Sequence, residues 1–353
     1  MTLGDLATWV VLIAGGVVVS VVTLRAIWLA IGHFRIRRAG PRPLSASHAR
    51  IWHEPNPQSP LNVSDQPGAS DEPPSPPFTF VEEHTQGSQP CVSIRDARGR
   101  RWRVKWGDEV RAESFAVRFA QACGYFAPPT YFVAGGRIEG AAELQRARNC
   151  VRDTDGSFVD GRFQLDDPDV TKLFEEHSWS WDDNPFVGTP ELSGLKIVVM
   201  LLSNWDTKDR RDVARGSNTA IFEHRVARRR REARYVLSDW GGSMGKWGAN
   251  VVTRGRWDVD GFESQTPQFV TGVKDGRVSF GYAGQRTGDI AGDIPIAHAR
   301  WFHGHASTLT DRLLIQALLA SGATQDEAER FARSLLERIH RLHAVVTSPE
   351  EQP

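Results

Sequence analysis

From Leu6 to Leu24 the chain carries 19 consecutive residues without a charge, rich in Val, Leu, Ile, Ala and Gly. Such a run constrains the whole molecule, because about 20 apolar residues in a helix cross the ~30 Å hydrocarbon core of a bilayer. Arg25 interrupts the run and Ala26 to Ile31 continue it; an arginine near a helix end can reach the headgroups with its guanidinium. The expectation is a transmembrane helix over 6–31. Asp5 precedes the run and Arg35, Arg37, Arg38 and Arg42 follow it. A cleaved secretory signal has the opposite polarity, with positive charge first, so the segment reads as an uncleaved single-pass anchor. Basic residues just past the span place the C-terminal bulk in the cytoplasm, on the inner side of the cell membrane.

Beyond the anchor, residues 32–77 are expected to form a disordered Pro/Ser-rich linker, typified by "NPQSPLNVSDQPGASDEPPSPP", which is too poor in apolar residues to bury a core. About 270 residues remain, enough for one bilobed domain or two small ones. The 43 basic and 43 acidic residues cancel, so net charge selects no partner and local clusters must. Cys91, Cys123 and Cys150 have no metal-ligand spacing and leave one thiol over in any disulfide scheme, as suits a reducing compartment; the plain alternative is three buried small residues.

Alternating apolar positions predict strands over Phe78–Val81, Val92–Asp96 and Trp102–Trp106, the last two joined by the turn Ala97-Arg98-Gly99. A helix is expected over Glu109–Cys123 with Gly124 closing it, then a strand over Thr130–Val133 after Pro128-Pro129. Residues 134–190 show no periodicity. An apolar helix follows over Glu191–Ser203, then short strands over Thr219–Glu223 and Tyr235–Leu237. A hairpin is expected around Asp275-Gly276, and of two closing helices the second aligns Ala328, Phe331, Leu335, Ile339 and Leu342 on one face. The fold class expected is α+β, with a small antiparallel sheet and one helix in a lobe spanning 78–135, a mainly helical lobe over 136–347, and a disordered tail at 348–353.

Phosphoryl transfer needs a cation on the phosphates, an acid to hold that cation, oxygen ligands for a metal, and a carboxylate to take the attacking hydroxyl's proton. Lys105 lies on the third strand. Glu113, eight residues on, shares a helix face with Ala116, Val117 and Ala120 and therefore points inward. A buried acid wants a cation, and Lys105 is the expected partner; a solvated strand lysine and an acid favoured by the helix dipole are the bland alternatives. "LLSNWDTKDRR" puts Asp206 and Lys208 in the loop leaving the apolar helix, while "GSNTAIF" and "YVLSDWGGSMG" place Asn218 beside a strand and Asp239 at the end of one. A carboxylate at a strand end before Gly241-Gly242 suits a hard cation.

Lysine on strand three, glutamate on the next helix, Asp-x-Lys after an apolar helix, a later asparagine and Asp-Trp-Gly in place of Asp-Phe-Gly resemble the protein-kinase-like superfamily. The closest flavour is its atypical branches, such as phosphatidylinositol kinases and HipA-type kinases. The resemblance covers roughly residues 78 to 345 at the level of motif order. It implies ATP and Mg²⁺ as cofactors, Asp206 as catalytic base, phosphate contact by Lys105 and Lys208, an ion-pair role for Glu113, and metal ligation by Asn218 and Asp239. In place of a Gly-rich phosphate loop the chain has "EHTQGSQP", where only Gly87 and Ser88 can approach a nucleotide closely. The 12-residue interval between Asp206 and Asn218 requires an insertion, or else Asp209 or Asp212 takes one of these parts.

"GGSMGKWG" fails as a Walker A loop, and His298, His303 and His305 have no suitably spaced metal partner. Trp179, Trp181 and Asn184-Pro185-Phe186 are expected to pack under the lobe interface, or to form a substrate platform. The run through Arg225, Arg228, Arg229, Arg230, Arg231 and Arg234 is expected at a hairpin tip, solvated or resting on anionic lipid at about 1 kcal/mol per residue; no aromatic or groove-entering helix accompanies it for nucleic acid. Three functions stay open: a membrane-anchored kinase acting on a protein or lipid-linked hydroxyl, an inactive kinase-like scaffold recruiting a partner, and a metal-dependent hydrolase.

Overall fold

The computed structural model describes residues 49–55, 72–85, 87, 89–173, 178–228, 230–248, 250 and 252–347. The expected membrane helix over 6–31, most of the linker and the tail at 348–353 lie outside the described residues. Among the described residues no helix is long and apolar enough to cross a membrane.

The N-terminal lobe is a closed barrel of β2 (Phe78–His84), β3 (Cys91–Arg95), β4 (Arg101–Lys105), β6 (Ser157–Leu165) and β5 (Thr130–Glu139), in that spatial order. Its inside follows from alternation: Trp102 and Val104 of β4 are buried with Ile94, Phe158 and Phe163, while Arg103 and Lys105 point outward. Helix α1 (Val110–Ala122) packs on β5 and β6 and buries Phe115 and Phe119, one turn apart, against the second lobe. Each such ring contributes about 1.5–3 kcal/mol when fully buried. Gly124 (φ +86°) ends the helix, as its position in the sequence predicts.

Two expected boundaries move. The small lobe does not end at 135: β5 continues to Glu139, and β6, in the stretch without periodicity, is the strand that closes the barrel. Gly135, Gly136 and Gly161 obscure the pattern. They are there for space, since a Cβ on Gly136 would lie 3.0 Å from the Phe158 ring. The expected linker is also partly folded: in β1, Ala49–Arg50 pairs in parallel with Ala233–Arg234, Ile51 is buried, and Trp52 Nε1 donates to Cys123 O at 2.8 Å. A side chain at Gly124 would strike Trp52 and His53.

The second lobe holds a four-stranded sheet ordered β1, β9 (Arg230–Leu237), β8 (Thr219–Ala227), β7 (Val170–Lys172), backed by helices. Helix α2 (Pro190–Leu201) is apolar on nearly every face and forms the centre of the core; Thr189 caps it by accepting from Leu192 N. Around it stand α3 (Val259–Gln265), α4 (Thr287–Ala291), α5 (Ile296–Ala306), α6 (Asp311–Leu319) and α7 (Gln325–Thr347). As expected, α7 buries Ala328, Phe331, Leu335, Ile339 and Leu342. The hairpin of β10 (Val270–Lys274) and β11 (Arg277–Phe280) turns at Asp275 and Gly276, both left-handed.

The arginine-rich tip is smaller than expected. Arg225, Arg230, Arg231 and Arg234 lie along β8 and β9. Arg225 pairs with Asp169, Arg231 with Glu223 at 2.9 Å and Arg234 with Glu232 at 2.8 Å; Arg228 is in the turn and Arg229 lies outside the described residues.

Candidate active site

The outer face of β4 and β6 looks across a cleft of about 350 Å³ onto the sheet of the second lobe. Lys105 lines it from above, and Asn218 and Asp239 line it from below. Three of the widely separated residues that the sequence singles out, Lys105, Asn218 and Asp239, thus share one cavity. Burial lowers the Lys105 pKa, with Arg162 adding to the effect, while Asp239 and Glu109 act in the opposite sense.

Glu113 is buried, as its helical face requires, but its partner is not Lys105. The carboxylate pairs with the guanidinium of Arg162, which is also buried and whose Nη2 donates to Gln164 Oε1 at 3.1 Å. Arg162 stands opposite Lys105 in the β4–β6 register, so two outward cations are neighbours and the helix acid takes the fork-shaped one. Burial pushes the Arg162 pKa down to about 10, and Asp239 is the first of the charges that oppose the fall. Glu109, the N-cap residue of α1, is an acid that sequence reasoning did not single out and that stands against the Asp239 turn. A Cβ on Gly241 would lie 2.9 Å from its Cδ, and its Oε1 accepts from Arg256 at 2.7 Å. Burial and the Asp239 charge both raise its pKa.

The loop after α2 is stapled to the Asp239 turn by Asn204, which is fully buried. Its Nδ2 donates to Asp239 O at 3.2 Å and its Oδ1 accepts from Asp206 N at 3.2 Å. Gly242 must lack a side chain, because a Cβ would sit 2.9 Å from Asn204 Oδ1 and 3.2 Å from Asp206 N. The 12-residue interval is spanned by a 3-10 turn over Arg210–Arg215, which lets Asn218 Nδ2 donate to Asp206 O at 2.6 Å. Asp206 itself lies 3.4 Å from Lys208 Nζ and accepts from Gln285 Nε2 at 2.7 Å. Its pKa is raised by burial first; Lys208 opposes this and Asp239 reinforces it.

Asp209 and Asp212 are committed elsewhere: Asp209 caps the 3-10 turn and pairs with Arg211, and Asp212 pairs with Arg286 at 2.5 Å. Gly87 is left-handed in the β2–β3 connection, where its carbonyl accepts from Arg146 at 2.8 Å, and it is not among the residues lining the cleft; Ser88 lies outside the described residues. Trp179 and Trp181 are core residues of the second lobe. Their ring nitrogens donate to Ala220 O and Thr207 O, each at 3.2 Å, so they support the sheet and the Asp206 loop from beneath and offer no platform. His298 bonds Ser193, His303 stacks on His343 and His305 packs between Trp52 and Trp301.

Among the described residues, no group of three or more His, Cys, Asp or Glu side chains is arranged to hold a metal ion. One or two protein oxygens suffice for Mg²⁺ when phosphates and water complete the octahedron. Asp239 and Asn218 on the floor of the cleft fit that pattern, and the like charges of Glu109 and Asp239 would be relieved by a cation between them.

The sequence matches no known family profile and no curated protein. Among solved structures it is similar to a crystal structure of the Golgi casein kinase, at 11% identity and a TM-score of 0.37, covering 79% of this chain and 73% of that one. A second crystal structure, of the Golgi casein kinase with Mn/ADP bound, gives 9% identity and a TM-score of 0.35, covering 77% and 72%. Likenesses this distant carry no argument about the chemistry of this chain, which rests on its own cleft.

Proposed function

We propose that this chain is a membrane-anchored, atypical kinase that moves the γ-phosphoryl group of ATP to a hydroxyl on a protein or lipid-linked acceptor. The observation that carries the reading is the cleft itself: Lys105, Asn218 and Asp239 line it together, and Asp206 is hydrogen-bonded to Asn218 beside it. In this reading Lys105 neutralises phosphate charge, Asp239 and Asn218 hold Mg²⁺, and Lys208 offsets charge at the transferring group. Asp206 accepts the acceptor hydroxyl's proton as the new P–O bond forms and the bond to ADP breaks. The Glu113–Arg162 pair fixes α1 against the barrel and leaves Lys105 free for the cleft. The span over 6–31, together with Arg228, Arg229, Arg230 and Arg231, would keep the acceptor search at the inner membrane surface.

An inactive scaffold is the second reading, favoured by the absence of Gly87 from the cleft lining. Titrating the full chain with ATP and Mg²⁺ while following thermal unfolding separates the two. At 100 times its dissociation constant a ligand adds about 2.7 kcal/mol to stability, so a clear rise in melting temperature is expected, and no shift would favour the scaffold. Phosphate release without any acceptor would point to a hydrolase.

The pH profile supplies an independent check. Burial favours the protonated form of Asp206, so the base is lost at a pH above the ordinary aspartate value of ~3.9. The acid limb of kcat/KM should therefore lie above ~3.9 and disappear in the residual activity of Asp206→Asn; a limb at or below the ordinary value would remove Asp206 from the role of base.

A further inference from the structure

The cleft runs well past the metal-binding end. Asn218, just before β8, and Phe222 and His224 within it, all on the cleft floor, follow the two-residue alternation of a strand, and the six steps from Asn218 to His224 span roughly 20 Å. That is long enough for a nucleoside triphosphate laid out from phosphate to base. At the far end His224 is 5% exposed, and among the described residues its Nδ1 has no hydrogen-bond partner. Nδ1 is enclosed by protein, so a ligand in the cleft meets the ring through its other nitrogen, Nε2.

The surroundings define the ligand chemistry. Leu165, Val170, Phe222 and Val236 supply apolar walls between the two ends. Burial and the neighbouring Arg234 keep the imidazole below its usual pKa, with Asp167, Glu232 and Asp169 opposing, so the ring is neutral near pH 7 and offers one donor and one acceptor. Arg234 is paired with Glu232 at 2.8 Å and lies over the Phe126 ring at 4.5 Å. The ring and its apolar neighbours suit a flat heteroaromatic edge, while Arg103 and Lys172 also line the cleft. The backbone joining the lobes is already engaged: Leu165 N donates to Pro129 O and Asp166 N to Arg101 O, both at 2.9 Å.

We infer that His224 reads the nucleobase of the bound triphosphate through Nε2 of its ring, making a side chain of the second lobe the residue that determines base preference. The inference rests on the kinase reading of the cleft. Its test is equilibrium binding of Mg²⁺ complexes of ATP, GTP and inorganic tripolyphosphate to the full chain and to His224→Ala and His224→Phe, with circular dichroism melts to confirm that the variants fold. Wild type should prefer one nucleotide. Both variants should bind that nucleotide about tenfold more weakly and lose the preference, with tripolyphosphate binding unchanged. If wild type shows no base preference, or a folded variant keeps both the preference and the affinity, His224 does not read the base. If wild type binds none of the three, the kinase reading itself falls and the inference falls with it.

Discussion

Replacing Asp239 with alanine should lower Mg²⁺-dependent phosphoryl transfer at least about 10³-fold, the equivalent of about 4 kcal/mol of transition-state stabilisation. The carboxylate stands two residues past the end of β9, its Oδ1 accepting from Gly241 N at 3.0 Å, and its charge acts on Lys105, Arg162, Glu109 and Asp206 together. Asp239→Asn keeps the shape and the turn hydrogen bond while removing the charge, so it should fold like wild type and still lose turnover. Steady-state rates across a Mg²⁺ titration provide the measurement. A variant that binds and turns over ATP as wild type does would end the enzyme reading.

Arg338→Leu should cost the fold about 3–5 kcal/mol, because several buried acceptors lose their donor at about 1–3 kcal/mol each, and lower the melting temperature by roughly 10 °C. Arg338 comes from α7, is fully buried, and has no carboxylate among its hydrogen-bond partners in the described residues. Instead, Nη1 donates to Leu201 O at 2.7 Å and Ser203 Oγ at 2.8 Å, Nη2 to Phe262 O at 2.9 Å, and Nε to Thr266 Oγ1 at 3.1 Å. Its cation is balanced by carbonyls at the negative end of α2 and by the Phe262 ring, 3.6 Å from the guanidinium carbon. Because α2 leads directly to Asn204 and Asp206, the same contacts set where Asp206 stands. Arg338→Lys should rescue little, since an ammonium lacks the five-donor fork. Thermal and urea unfolding would check both variants; wild-type stability in Arg338→Leu would show the network to be dispensable.

Much of the candidate cleft was legible because Lys105, Asp206 and Asp239 each carry a local cue. Lys105 alternates with Trp102 and Val104, Asp206 leaves an apolar helix, and Asp239 ends a strand before two glycines. Arg162 was hidden by Gly161, which breaks the alternation of β6; with 157–165 recognised as a strand, Arg162 and Gln164 would have faced outward beside Lys105. Asn204, Glu109, His224 and Arg338 have no local cue. Asn204, Glu109 and Arg338 matter through partners between 35 and 147 residues away in the chain, and His224 through a cleft that two lobes make jointly.

What the amino-acid order determined by itself is the periodic content: an uncharged N-terminal run of membrane length, the strands and helices that start at Phe78, and the inward face of Glu113. Periodicity reports which side of an element is apolar, and that is a property of neighbours in the chain. Which cation meets Glu113 was decided only when the barrel closed and set Arg162 opposite Lys105. Strand register and lobe packing are non-local, and they choose partners that sequence spacing leaves open.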